Sequence, residues 1–199
     1  VKDLSFRKYS GIIAIRSTVV PGFTNLMKNK FNNIKICFVP EFIRERCAEF
    51  DFILEQRLLA VGTEDNNEFD IIVKAHGSLP RNIVQLRTHE AELLKYFSNL
   101  YAATRITFAN AFYEVCKKFD ANYSKIKEAY VKTGRVGDNY LEASENMRGY
   151  GGMCLPKDTR AFIKLIENLD LDLDIFKAID KDNSKFLTTI FEGMRGEND

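Results

Sequence analysis

Charge imbalance, paired cysteines, clustered histidines and long apolar runs are all missing from this chain of 199 residues. Its 29 Lys and Arg stand against 28 Asp and Glu, a formal net charge of +1. That balance gives no electrostatic reason to expect nucleic acid or an anionic membrane as a partner. No apolar run approaches the roughly 20 residues that a membrane helix needs, and the first residues are polar, unlike a signal peptide. Cys37, Cys47, Cys116 and Cys154 show no paired spacing, and His76 and His89 alone make no zinc pattern. Reduced thiols in a cytoplasmic protein, with no metal site, are the expectation. Also missing is any G-x-G-x-x-G, the strand-turn-helix fingerprint in which glycines let the backbone reach a pyrophosphate. The chain opens on Val1 instead of methionine, as a fragment or a processed product would.

What is present is the composition of a globular protein, 45% hydrophobic and 29% charged. Gly11 to Ser17, Ile34 to Val39, Arg57 to Gly62 and Asn82 to Leu86 read as short buried strands. A helix from Pro21 and Gly22 through Lys30 and another from Glu68 to Ala75 alternate with them. This pattern predicts an α/β fold with a parallel sheet covered by helices. From His89 the period changes. Leu93, Leu94, Phe97, Leu100, Tyr101, Thr104, Phe108, Phe112 and Val115 recur at spacings of three and four, and no Gly or Pro falls between Thr88 and Lys118. One helix of about 30 residues, about 45 Å long, is expected, and it needs packing on more than one side. Shorter helices follow at Ser124 to Lys132, Pro156 to Asn168 and Leu173 to Lys185. The aspartates of Asp170 to Asp174 read as a solvated linker with a helix cap.

The stretch richest in chemistry is Gly149-Tyr150-Gly151-Gly152-Met153-Cys154-Leu155-Pro156-Lys157-Asp158. Its glycines let backbone approach a ligand, and Pro156 suits the first turn of a helix. A thiol just ahead of a helix start, beside a lysine, is favoured as thiolate. Asp158, four residues on, turns back toward the same side. Thiol, cation and carboxylate together suit covalent catalysis, although a lone cysteine beside a helix cap is more often structural.

This segment resembles the active-site signature G-Y-G-G-x-C-x-P-K-D of the nucleotide-sugar dehydrogenases, the family of UDP-glucose 6-dehydrogenase. Three more stretches match that family in order: Ser17-Thr18-Val19-Val20-Pro21-Gly22, Pro40-Glu41-Phe42-Ile43-Arg44-Glu45, and the helix opening Glu90-Ala91-Glu92-Leu93-Leu94-Lys95-Tyr96-Phe97-Ser98-Asn99. The likeness runs from about Gly11 to the region of Asn183. It implies the C-terminal part of a Rossmann-like NAD-binding domain over residues 1–87. A helical central domain over residues 88–199 follows, carrying the catalytic cysteine and forming a homodimer through the long helix. It implies the middle of an enzyme, without the first cofactor-binding unit or the C-terminal nucleotide-sugar domain.

The implied activity is NAD-dependent four-electron oxidation of a nucleotide sugar, UDP-glucose to UDP-glucuronate, through a cysteine thiohemiacetal and thioester. GDP-mannose is the alternative substrate. Cys154 is then the nucleophile. Lys95 and Asn99, four apart on one helix face, would stabilise an oxyanion or alkoxide and touch the sugar; otherwise they are a solvated pair. Asp158 would orient or deprotonate water, alone or with Lys95, and either group could be the base. Glu41 would lie near the reacting sugar, and Thr18 would hold a water or a cofactor group. Glu45 would lie near the nicotinamide, or pair with Arg44 or Arg46. Arg135 would reach the partner subunit's substrate, while Tyr150 and Gly151 would border the sugar. Two departures stand out. Ala109-Asn110-Ala111 keeps only the asparagine of the family's F-N-E triplet. The stretch Leu141 to Arg148 lacks its N-P-S-F pattern, which puts nucleotide affinity or sugar specificity in question. Rival readings are a catalytically silent dimerisation module and one half of a split enzyme.

Overall fold

The structure, a computed structural model, describes residues 1–43 and 48–186. The chain forms two compact units, Val1–Lys95 and Tyr96–Asp199.

The first unit runs α1 (Lys2–Phe6), β1 (Ile12–Ile15), α2 (Phe23–Lys30), β2 (Lys35–Phe38), α3 (Ala48–Ile53), β3 (Leu59–Gly62), α4 (Asn66–His76) and β4 (Ile83–Leu86), then enters α5 (Thr88–Lys118). Its sheet has the order β1-β2-β3-β4. Strand β1 pairs parallel with β2, Ile12 opposite Lys35, and β3 pairs parallel with β4, Leu59 opposite Ile83. Between these pairs the expected parallel sheet is corrected to a mixed one. Strands β2 and β3 are antiparallel and meet at a single register pair, Phe38 opposite Gly62. Apolar runs specify burial and not direction; direction is set by the connection, and the described residues of this one hold no long crossover helix of the βαβ kind. Its α3 has six residues, and neither α3 nor α1 was foreseen from the sequence.

Cys37, Val39, Leu59, Val61 and Ile72 form the core here, with Phe69 and Val73 packed against them. Three of these lie at 69, 72 and 73, the spacing that puts one apolar stripe of α4 on the sheet. Asp65 caps that helix, its carboxylate accepting from the Asn67 and Glu68 amides. The start of α5 is fixed in a similar way. Glu64 accepts from the Thr88 amide at 2.9 Å and the Thr88 hydroxyl at 3.0 Å, and pairs with Lys28 at 2.9 Å. Gly62 abuts this helix. A Cβ there would stand 2.6 Å from the Ala91 Cβ, closer than side chains can approach.

The second unit continues α5 and adds α6 (Tyr123–Val131), α7 (Leu155–Asn168) and α8 (Ile175–Asn183). Helix α5 has 31 residues, spans about 46 Å and ends where the sequence pattern ends. One face of it is buried through Leu100, Ala103, Ile106, Ala109 and Cys116. Around it, Ala103, Ile106, Tyr150 and Ile179 make one core, and Ala109, Cys116, Tyr123 and Ala143 another. Much of the apolar series read from the sequence faces outward instead: Phe97 is 70% exposed, Tyr101 54% and Phe108 59%. So α5 carries two apolar faces, and the described residues of this unit cover only one.

Candidate functional site

In the first unit the candidate residues gather where strands end, the position at which open α/β sheets place ligands. Thr18 lies half-buried between β1 and α2, and Glu41 follows β2. The Glu41 carboxylate is ion-paired with Arg16, just past the end of β1. Arg16 also lies 3.3 Å from His76 Nε2 and 5.4 Å from the Phe52 ring centroid. His76 Nδ1 is 2.9 Å from the Ile72 carbonyl; a proton there leaves Nε2 to accept from Arg16. Burial draws the Arg16 pKa down, yet a guanidinium remains charged at any ordinary pH.

Lys95 points to the same place. Its Nζ donates to the Glu41 carbonyl at 2.5 Å and sits 5.6 Å from the Phe42 ring centroid. The structure thus brings Glu41 and Lys95 together, and adds Arg16, which sequence reading missed. Glu45, like Cys47, lies outside the described residues. Glu92 belongs to the opening motif of α5. Its side chain is fully buried, and its carboxylate accepts the Gly22 and Thr24 amides at the start of α2, the latter at 2.8 Å. An anion there satisfies otherwise orphaned donors and fixes the turn that follows Thr18.

In the second unit Cys154 is the residue that caps the N-terminus of α7, with Pro156 in the first turn. Its side chain is exposed. The other described thiols differ: Cys116 is buried on α5, and Cys37 lies within the sheet, where burial first and Glu68 second push its thiol up to about 12. Asp158 stands one turn into α7 and is 1% exposed. Its amide donates to the Cys154 carbonyl at 2.9 Å, which closes the first helical turn. Its carboxylate accepts from Asn99 Nδ2 at 2.5 Å and lies 2.8 Å from Lys157 Nζ. Asn99, Asp158 and Cys154 therefore share one unit, the first two in direct contact.

Tyr150 is placed in the core, with its ring 2% exposed, so its side chain serves packing; Gly151 beside it is half-buried. Arg135 is exposed in the loop after α6, next to Gly134 at φ +71°. The stretch that departs from the family pattern forms a tight turn, with Ser144 and Met147 exchanging backbone hydrogen bonds at 3.2 Å. Glu145 at its tip pairs with Lys117 at 2.8 Å and accepts from the Tyr113 hydroxyl at 3.0 Å. Among the described residues, no group of three or more His, Cys, Asp or Glu is arranged to hold a metal ion. Nor is any helix among them long and apolar enough to cross a membrane.

Comparison with known proteins agrees with these motifs. Residues 89–185 match the central domain of the UDP-glucose/GDP-mannose dehydrogenase family. The UDP-glucose 6-dehydrogenase of Rickettsia prowazekii is 32% identical over 204 residues, covering 94% of this chain and 46% of the relative. That of Campylobacter jejuni is 34% identical over 184 residues, covering 89% of this chain and 45% of the relative. Among solved structures, a UDP-glucose dehydrogenase from the hyperthermophilic archaeon Pyrobaculum islandicum superposes with a TM-score of 0.80 at 30% identity, covering 87% of this chain and 41% of that one. The chain spans somewhat under half the length of these relatives. With four motifs in register, a matching central domain and a shared fold, the chain belongs to the UDP-glucose/GDP-mannose dehydrogenase family.

Proposed function

We propose that this chain is the catalytic middle of an NAD-dependent oxidoreductase that converts UDP-glucose to UDP-glucuronate, with Cys154 as nucleophile. One observation carries the reading: the exposed thiol heads α7, and the buried Asp158 in the first turn of that helix is engaged by Asn99. Taking an alcohol to an acid removes four electrons, so the balance is one alcohol, one water and two NAD+ giving one carboxylate, two NADH and three protons.

NAD, when bound, supplies the hydride acceptor for both oxidations. The described residues fit only its reactive end: Thr18 and Glu41 follow strand ends, but no glycine fingerprint is present to cradle a pyrophosphate. Thr18, with Glu45 after the same strand end as Glu41, would border the nicotinamide. The chemistry of the chain's own groups follows from their types. The Cys154 thiolate adds to the carbonyl carbon of the intermediate aldehyde and forms a C–S bond, giving a thiohemiacetal. Oxidation of that adduct leaves a thioester. Water then adds to the thioester carbon, the C–S bond breaks, and Cys154 departs as thiolate. The Asn99 amide and the Lys95 ammonium are the donors suited to the oxyanion of each adduct. Asp158 would orient the water or accept its proton, while Glu41 and Gly151 would border the sugar.

The apolar face of α5 left exposed among the described residues supports a homodimer through that helix, with exposed Arg135 reaching the substrate of the partner. The free thiols suit a reducing, cytoplasmic setting. The test joins this chain to the dinucleotide-binding and nucleotide-sugar domains of a relative and follows NADH with UDP-glucose or GDP-mannose. The expected result is two NADH per UDP-glucose, with Cys154→Ser making no acid. Acid formation by Cys154→Ser, or no NADH from either sugar, would refute the proposal.

A further inference from the structure

The backbone just ahead of the thiol loop is held residue by residue. Arg148 is ion-paired with Glu114, and its guanidinium lies 4.9 Å from the Tyr113 ring centroid and 5.1 Å from that of Phe186. At Gly149 the amide donates to Asn110 Oδ1 at 3.1 Å. At Tyr150 the amide donates to Asn183 Oδ1 at 2.7 Å, and the carbonyl accepts from Asn183 Nδ2 at 2.9 Å. Asn183, the last residue of α8, thus bonds both sides of one residue, as a neighbouring strand would. Asn110 is fully buried in α5 and spends its other group on the Ile106 carbonyl, at 2.9 Å.

Two buried amides with their hydrogen bonds directed at consecutive backbone groups are more than packing requires. The Tyr150 ring is already anchored in the core, but a ring alone leaves the orientation of its peptide free. Glycines at positive φ stand on both sides, Gly149 at +59° and Gly152 at +73°, where the chain swivels most readily. Between the Tyr150 brace and the helix start lie only Gly151, Gly152 and Met153, and beyond them Asp158 is tied to Asn99. The loop bearing Cys154 is therefore fastened at both ends.

We propose that Asn183, assisted by Asn110, is a positioning residue for Cys154: it holds the Tyr150 peptide and thereby keeps the thiol at the N-terminus of α7. This deepens the reading of Cys154 as nucleophile and rests on it for its catalytic meaning. A thiol kept there meets an electrophile from one fixed place at the helix start, whereas one on a swivelling loop spends less time there.

The test uses the 199-residue chain and the alkylation rate of Cys154 by iodoacetamide, read on the peptide that carries it, with Cys154→Ala as the blank. Amide exchange at Tyr150 and the melting temperature are measured alongside. Asn183→Ala removes both hydrogen bonds to Tyr150 and is expected to slow alkylation about fivefold or more and to speed exchange at Tyr150. Asn183→Asp still accepts from the Tyr150 amide but no longer donates to its carbonyl, and is expected to fall between. Ile166→Val, a buried change in α7 away from the brace, is the control for general destabilisation and is expected to move only the melting temperature. Wild-type alkylation and exchange in Asn183→Ala would overturn the proposal. So would an equal slowing in Ile166→Val. If Asn183→Ala does not fold, Asn183→Asp decides on the same two readings. No sugar or cofactor is present, so a complete enzyme that makes acid without Cys154 would refute the functional reading and leave the brace standing.

Discussion

The two units fasten their candidate residues by different means. In Val1–Lys95 the fastening is ionic: Arg16 on Glu41, Lys95 on the Glu41 carbonyl, Glu92 on the start of α2, and Glu64 with Lys28 at the start of α5. Around the thiol loop of the second unit the neutral amides of Asn110, Asn183 and Asn99 take much of that part. Charges act strongly but respond to pH and salt, whereas an amide bonded to backbone, as Asn110 and Asn183 are, holds its partner equally across the pH range. Asn99 differs in meeting the Asp158 carboxylate. A loop fastened by such amides keeps its anchors when pH or salt changes. A carboxylate at a strand end gains a fixed direction from the counter-charge beside it.

That contrast is open to breaking. The largest effect is expected at Tyr150, because packing of its ring underlies the amide brace. Tyr150→Ala should cost about 3–5 kcal/mol in denaturant unfolding followed by a probe in the second unit. Next comes Glu92→Ala, which strands two amides in a buried place and should cost about 2–3 kcal/mol. Glu92→Gln, able to accept one of them, should recover part of that. Asp65→Ala removes an exposed cap on α4 and should cost about 1 kcal/mol, read as a lower unfolding midpoint of the first unit. The smallest effect sharpens the comparison most. Burial raises the Glu64 carboxyl pKa, but hydrogen bonds from the Thr88 amide, Lys28 and the Thr88 hydroxyl outweigh it and hold the group at about 2. A lowered pKa means that its stabilisation is complete above the unfolded value of about 4.3 and fades as pH falls through about 2. Half-exposed as Glu64 is, the contribution should be small and weakened by salt. Amide exchange across pH 5 to 2 should show the start of α5 loosening, Glu64→Gln should flatten that response, and the Tyr150 brace should show little.

Helix α5 was legible to the residue because 31 positions without Gly or Pro leave the chain little else to do. The four strands were legible as apolar runs, but the antiparallel meeting of β2 and β3 was not, since direction is set by a connection that carries no period. The stripe read along α5 mixed two faces, because large side chains mark an apolar surface without saying what covers it. The candidate residues stand in motifs that the sequence displays; their fastenings were harder to read. Asn110 left a trace, a lone amide on a buried helical stripe. Asn183 left less: it sits among polar neighbours near the end of α8, and only the fold turns its amide onto Tyr150. Arg16 looked like the polar end of a strand until Glu41 stood beside it.

Gly62 and Ala91 have a mechanical consequence. With a hydrogen on one side and a methyl on the other, β3 and α5 meet like a key and its slot. The helix cannot turn about its axis without driving the methyl into backbone, nor slide along it without leaving the slot. Lys95 stands one helical turn beyond Ala91, on the same face. The bearing at which its ammonium leaves the helix is therefore indexed by this close contact, and Gly62→Ala should disturb that bearing without touching any charged residue.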